Sequence, residues 1–493
     1  MIHNGIILPR YEPKGYSIIV RGKKVKLTPR QEEMAVAWVK KLGTVYVQDE
    51  IFVKNFFQDF SEALGVGETI TPNDIDFSEI QRTVEREKLV KASMSKEEKK
   101  KQAADRKTLR EQNRENYGFA ALDGAKVELG NYVGEPSCIF MGRGKHPLRG
   151  KWKQGPSQED IILNLSPDAQ LPEGSWKRDW QRDSMWIAKW DDRLSRKVKY
   201  IWLADTVGVK QEQEIKKFNK ATRLEQKINE LRNHIYKNLT SEDLMTRKVA
   251  TVCYLIDELK LRVGDEKSKE EADTVGATTL RPDHVKIQEN GYVRFDFLGK
   301  DSVQWEKEVQ LRPEAIDNLR EFIGDARSSI FEGVRSSHVK NFLSKVIPGL
   351  TAKVFRTYHA SNVVARSLED ANVRSDDPDI DKKYAATMAN LKAAIECNHK
   401  KQLPKNWAES IAKKKGTLEA LQTKADEKSK RRARELKIKI ELMEATKNYN
   451  LRTSLKSYID PRVFYKWFTK VDYDWKLYYP TALQHKFSWV EKS

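Results

Sequence analysis

The sequence predicts a multidomain α+β chain, and three observations carry that expectation. Its 493 residues are enough for about two to four domains with cores of their own. Short alternating apolar runs, rich in Gly, Pro and Trp, concentrate between about 117 and 205, whereas spacings suited to amphipathic helices dominate from 210 to about 402. Between about 403 and 450 charged residues displace apolar ones. Leu418, Leu421, Leu436, Ile440 and Met443 remain as a narrow stripe, enough for an antiparallel helical hairpin but weak as a sustained heptad.

Each stretch has a local reason. Residues 1–14 are punctuated by Pro9 and Pro13 and read as extended. A short strand over Tyr16–Val20 runs into the turn Arg21-Gly22-Lys23-Lys24, and a helix opens at Thr28-Pro29, with Thr28 as N-cap and Pro29 in the first turn. The apolar positions of Ile51–Phe60 suit a helix packed on one face. Residues 80–116 read as one long charged helix, a solvated face or a basic rod along a phosphate backbone. Phe140–Pro147 is a basic Gly-rich turn carrying Arg143 and Lys145, with Arg149, Lys151 and Lys153 after it. Trp176, Trp180, Trp186, Trp190 and Trp202 mark small antiparallel strands, the last of them Val198–Leu203. Farther on, Val249, Val252, Ile256 and Leu259 share a helix face. Val293, Phe295 and Phe297 alternate as in a strand that turns at Gly299-Lys300-Asp301-Ser302 and returns through Val303 and Trp305, which puts Lys300 at a hairpin tip.

Composition narrows the function. A net charge of +19 and a pI near 9.4 point to a polyanionic partner, nucleic acid first. Three widely separated cysteines, Cys138, Cys253 and Cys397, support neither a disulfide framework nor a zinc site and fit a reducing compartment. No apolar run approaches the ~18 residues that span a bilayer, and the start lacks the basic flank of a secretory signal. GxxxxGK[ST], GxGxxG and HExxH are absent, which leaves nucleotide hydrolysis and zinc proteolysis without support. No metal or other cofactor is expected.

The chemistry concentrates near the end, at Thr453–Arg462. Pro461 limits helix continuation, so Tyr458 belongs at a helix boundary, where a tyrosine can be offered to a partner. A phenol of pKa about 10 attacks at neutral pH only beside a proton acceptor or in a cationic pocket. Most tyrosines in such a setting simply pack. Arg262 beyond a helix reads equally as an ion-pair residue, Lys300 as a solubilising tip, Arg356 as a buried structural arginine and His399 as a helix C-terminal complement to the dipole.

Taken together, the ordered set Arg262, Lys300, Arg356, His399, Tyr458 resembles the eukaryotic-type DNA topoisomerase IB family. The resemblance rests on Leu261-Arg262-Val263-Gly264-Asp265-Glu266-Lys267, Ala272-Asp273-Thr274-Val275-Gly276, Phe295–Ser302, Thr351–Tyr358, Cys397-Asn398-His399 and Ser457–Arg462. Earlier support comes from Lys54–Phe57, Met94–Lys99 and Gly142-Arg143-Gly144. It implies that Tyr458 attacks a DNA phosphodiester to leave a 3′-phosphotyrosyl link and a free 5′-hydroxyl. Arg262, Arg356 and His399 would hold the non-bridging oxygens, and Lys300, in the minor groove, would protonate the leaving 5′-oxygen. Arginine suits that task because its fork stays charged and matches phosphate geometry. One ester replaces another, so resealing would need neither ATP nor metal while supercoils of both signs relax by rotation.

The resemblance also implies a DNA clamp: a mixed α/β cap lobe at 15–98, an upper lobe from 1–14 and 99–205, and a mostly helical catalytic lobe at 206–402. A coiled-coil linker at 403–450 and a small helical C-terminal domain at 451–493 complete it. Arg143, Lys145, Lys151, Asp301, Thr357 and Ser457 would contact double-stranded DNA, bound by a monomer without a nucleotide cofactor and away from membranes. Met141 stands where the nuclear enzymes carry arginine and Ser457 where they carry asparagine. Their long charged N-terminal tail is absent, so the expected compartment is the nucleus for a eukaryotic source and the nucleoid or cytoplasm for an archaeal or viral one. A tyrosine recombinase, or a clamp without chemistry, is the alternative.

Overall fold

In the computed structural model, which describes residues 1–265 and 273–492, local capping chemistry sets many element boundaries. The chain forms two units, one built on residues 1–207 and the other on 208–265 and 274–492. Both combine helices with small sheets, and the C-terminal region is helical.

In the first unit Thr28 and Gln31 cap each other reciprocally at the start of the helix Pro29–Val39, with Pro29 in its first turn. The helix Glu50–Leu64 starts at Asp49 and ends at Gly65, whose φ of 71° suits a residue without Cβ. Phe52, Phe56, Phe57 and Phe60 are all buried, and Trp38 lies 4.7 Å from the rings of both Phe56 and Phe57. Each such side chain contributes about 1.5–3 kcal/mol by leaving water. The carboxylate of Glu32 is buried yet satisfied: it accepts from the backbone N–H of Lys14, Gly15 and Tyr16 and from the Tyr11 hydroxyl. That fastens the extended N-terminal segment to the first helix.

Three expectations change here. The lysines after Gly22 do not all belong to a turn, because Lys23–Lys26 is a strand paired with Ser17–Val20; its single apolar residue, Val25, hid it. The long charged helix is two helices, Ser78–Ser93 and Lys96–Tyr117, broken where Met94 turns to ψ 132° and Ser95 and Glu98 form a capping box. In the tryptophan-rich region, Trp186–Asp192 and Lys197–Trp202 are antiparallel as expected, but Ile162–Leu163 pairs in parallel with Lys177–Arg178. Trp176 and Trp180 fall outside strands.

In the second unit Val249, Val252, Ile256 and Leu259 are buried in the helix Leu244–Leu259. The strands Tyr292–Gly299 and Val303–Gln310 form the expected hairpin, with Phe297 and Trp305 stacked at 5.1 Å and Lys300 in the turn. The helices Trp407–Gln422 and Glu427–Ala445 form a hairpin whose buried positions are few: Ile411, Ser429, Ala433 and Ile440. Alanines 360, 385, 386, 389 and 393, on the helices Ala352–Glu369 and Asp379–Glu396, form a core with the C-terminal aromatics, Phe464, Trp467, Phe468 and Tyr479 among them. Trp467 also donates its indole N–H to the Leu368 carbonyl at 3.1 Å. No helix among the described residues is long and apolar enough to cross a membrane.

A candidate active site around Tyr458

Tyr458 ends the short helix Leu451–Ser457, and Asp460 caps the next helix, which begins at Pro461. The three-residue break is pinned, because the Asp460 N–H donates to Ser361 Oγ at 2.9 Å and Arg462 chelates the Asp460 carboxylate. Tyr458 is only 4% exposed. Its hydroxyl nevertheless has a partner, accepting from Arg262 Nη1 at 2.8 Å.

Arg262 is placed by a crossing of two segments 15 positions apart in sequence. The Ala277 N–H donates to the Arg262 carbonyl and the Thr278 N–H to that of Val263, both at 2.8 Å. The Thr278 hydroxyl adds a bond to the Gly264 carbonyl. The backbones meet so closely that a Cβ on Gly276 would lie 2.6 Å from Gly264 Cα. Hence the two glycines of the motifs around Arg262 and Val275. Glu266, Lys267 and Ala272 of those motifs lie outside the described residues.

Arg356, on the helix Ala352–Glu369, is 4% exposed. Nη1 donates to the Lys260 carbonyl at 2.5 Å, and Nη2 to the Cys397 carbonyl at 2.8 Å and to His399 Nε2 at 3.2 Å. Its Nε has no partner among the described residues. His399 follows the helix Asp379–Glu396 through Asn398, at φ 51°. Its carbonyl accepts from the Asn450 N–H at 2.7 Å, tying this turn to the start of the Tyr458 helix. The His399 ring centroid lies 5.0 Å from that of Tyr458, and the Arg356 guanidinium 4.9 Å from it.

These neighbours set the electrostatics. Burial raises the Tyr458 pKa, but the charges of Arg356 and Arg262, with the Arg262 hydrogen bond, more than offset it, and the phenol lies below its ordinary value. Burial, then the same two arginines, lower His399 to about 3, so its ring is neutral.

Lys300 is exposed at the hairpin tip, with Asp301 beside it at φ 67°. One groove is lined by Lys300, Arg262, Arg356, Gly276 and Asn398. Asn398 Nδ2 and Lys400 Nζ both donate to the Gln304 carbonyl, tethering the hairpin to the His399 turn. The five residues of the ordered set thus share one neighbourhood, with Lys300 at its open edge. Thr357 lines a second groove with Lys216, Lys217, Lys220 and Lys353, and its hydroxyl has no partner among the described residues. Lys217 Nζ donates to the Ser457 carbonyl at 3.4 Å. Arg143, Lys145 and Lys151 belong to the first unit, where Lys151 is held by Asp59 at 2.7 Å.

Sequence reasoning missed Lys217 and Ser454. Ser454 lies one helical turn before Tyr458, a spacing that could have flagged it, and its Oγ is 3.1 Å from His399 Nδ1. The whole arrangement holds a phenol of lowered pKa beside two fixed guanidinium groups, the chemistry of a nucleophile aimed at an anionic ester.

Three family models match the chain in succession: the DNA binding fragment of eukaryotic DNA topoisomerase I at residues 1–203, its catalytic core at 206–433, and a C-terminal topoisomerase domain at 430–493. Among related proteins, DNA topoisomerase 1 beta of Arabidopsis thaliana is 33% identical over 535 residues, covering 99% of this chain and 58% of its own length. Human DNA topoisomerase 1 is 31% identical, with 99% and 70% covered. The mitochondrial DNA topoisomerase I of Rattus norvegicus is 31% identical, with 98% and 89% covered. The chain therefore spans a little over half of the Arabidopsis protein and most of the rat one.

Proposed function

Because the chain belongs to the eukaryotic DNA topoisomerase I family, we propose that it is a type IB DNA topoisomerase and that Tyr458 is its nucleophile. The observation that carries this reading is the Arg262–Tyr458 hydrogen bond of 2.8 Å inside a pocket shared with Arg356 and His399.

Tyr458 Oη attacks a backbone phosphorus, the bond from phosphorus to the 5′-oxygen breaks, and the 3′ end stays on the tyrosine. Arg262 and Arg356 loosen the phenolic proton, which leaves to solvent, and then neutralise the charge that grows on the non-bridging oxygens. Each such donor typically accounts for ~10² to 10³ in rate. His399 completes the oxyanion site. Lys300, exposed on its hairpin, reaches the 5′-oxygen and supplies its proton. Religation runs the same steps backwards once the strand has rotated, and supercoils of either sign relax without ATP or a metal.

Duplex DNA is the partner, held by the net positive charge. Asp301 sits beside Lys300, while Thr357 and Ser457 adjoin the lysine groove, which suits a run of backbone phosphates. Arg143 and Lys145 add contacts from the first unit; Lys151 contributes less, being engaged by Asp59. The family assigns 15–98 to a cap, 1–14 and 99–205 to an upper lobe, 206–402 to the catalytic lobe, 403–450 to a linker and 451–493 to the C-terminal domain of a monomeric clamp. The helical hairpin at 407–445 supports the linker. The relatives named above are eukaryotic, so the compartment is that of eukaryotic DNA, typically the nucleus, and an archaeal or viral origin gains no support.

A DNA substrate that loses its downstream strand on cleavage should trap the adduct. Mass spectrometry should find the nucleotide on the Tyr458 peptide; an adduct on another residue would overturn the assignment.

A further inference from the structure

We infer that Ser454 is a positioning residue whose hydroxyl lets His399 change from accepting a hydrogen bond from Arg356 to donating one to a phosphate oxygen. The inference rests on the reading of the site given above.

The resting geometry fixes the imidazole tautomer. A guanidinium has only donors, so His399 Nε2, 3.2 Å from Arg356 Nη2, must offer its lone pair. The ring is neutral, held so by burial and by Arg356 and Arg262. Its one proton is therefore on Nδ1, which faces Ser454 Oγ at 3.1 Å, and the ring donates to the hydroxyl. Ser454 itself is fully buried, so water does not replace it there.

That tautomer is wrong for an oxyanion site, where Nε2 must carry a proton. Once an anion draws the Arg356 donors to itself, the lone pair of Nε2 has no further use. Nε2 then takes up a proton from solvent, which makes the ring an imidazolium with Nδ1–H still donating to the serine. Release of the Nδ1 proton to solvent gives the neutral Nε2–H tautomer, with Nδ1 accepting from the serine O–H. A hydroxyl serves both by rotating about one bond, because it is donor and acceptor together. Alanine serves neither and leaves Nδ1 buried without a partner. Serine is also anchored where it must be: its carbonyl accepts from the N–H groups of Tyr458 and Ile459 at 2.9 and 3.1 Å. Nucleophile and histidine are thus registered through one residue.

Two measurements decide it. In DNA-free protein with 15N-labelled histidine, the His399 signal, identified by its loss in His399→Ala, should show a protonated Nδ1 and a bare Nε2. Ser454→Ala should shift that signal, and Ser454→Thr should restore it. A resting Nε2–H form, or a signal indifferent to Ser454→Ala, would overturn the inference. In single-turnover cleavage, Ser454→Ala should be about tenfold to a hundredfold slower at unchanged DNA affinity, and should add nothing in a His399→Ala background. Multiplicative losses would mean a structural role and refute the proposal. If the parent chain shows no Tyr458-dependent cleavage, the reading of the site fails, and the histidine spectrum in DNA-free protein still decides for or against Ser454.

Discussion

Gly276→Ala perturbs the site without touching any side chain in it. An added Cβ would lie 2.6 Å from both Cα and N of Gly264 and 2.9 Å from the Arg262 carbonyl oxygen. All three are backbone atoms, so no side chain can swing aside. Ordinary contact begins at 3.4 Å, so the two segments must separate by about 0.8 Å, the difference between 3.4 and 2.6. The φ of Gly276 is −129°, which any residue adopts, so the effect is steric rather than torsional. Overpacking of this kind costs about 1–3 kcal/mol. The displaced segment carries Arg262, and a shift near 1 Å at a reacting centre can cost about a hundredfold in rate. Single-turnover cleavage should therefore fall by one to two orders of magnitude while DNA affinity holds. Thermal unfolding should drop by several degrees. Gly324→Ala is the control, since nothing lies within 4 Å of its added carbon. Parent-like cleavage and melting of Gly276→Ala would refute the claim that the crossing places Arg262.

Arg356→Lys keeps the charge but cannot reach the Lys260 carbonyl, the Cys397 carbonyl and His399 together, so cleavage should slow by about 10² or more; a loss below tenfold would argue against the fork. For His399, the folded pKa of about 3 lies below the ordinary 6.5. Between those values the unfolded chain takes up a proton that the folded ring refuses, so stability falls as pH drops from 6.5 towards 3. His399→Gln should flatten that slope by up to about one proton in denaturant melts taken across this range. For Tyr458, whose pKa is lowered, the cleavage rate should level off at a pH below the ordinary phenol value of about 10, and Arg356→Gln should move that midpoint upward.

Local chemistry was legible where a few adjacent residues decide it. Thr28-Pro29 capped a helix as read, and Pro461 put Tyr458 at a boundary. The break at Ser95 was also in the sequence, as the Ser95–Glu98 capping box, but the uniform charge around it masked the signal. Contacts between distant residues were not legible from spacing. Arg262 and Tyr458 are separated by 196 positions and His399 and Ser454 by 55; only the ordered motifs and the family resemblance joined the first pair, and nothing joined the second. The Gly264–Gly276 crossing depends on backbone approach, which composition does not encode. Lys217 escaped because a lysine on a charged helix carries no mark of the Ser457 carbonyl it meets.

The central claim is that Tyr458 performs strand transfer without help from nucleotide or metal. Relaxation of negatively and positively supercoiled plasmid, in EDTA and without ATP, should proceed with the parent chain and stop with Tyr458→Phe. A parent that binds plasmid but never relaxes it, or a Tyr458→Phe variant that still does, would contradict the account.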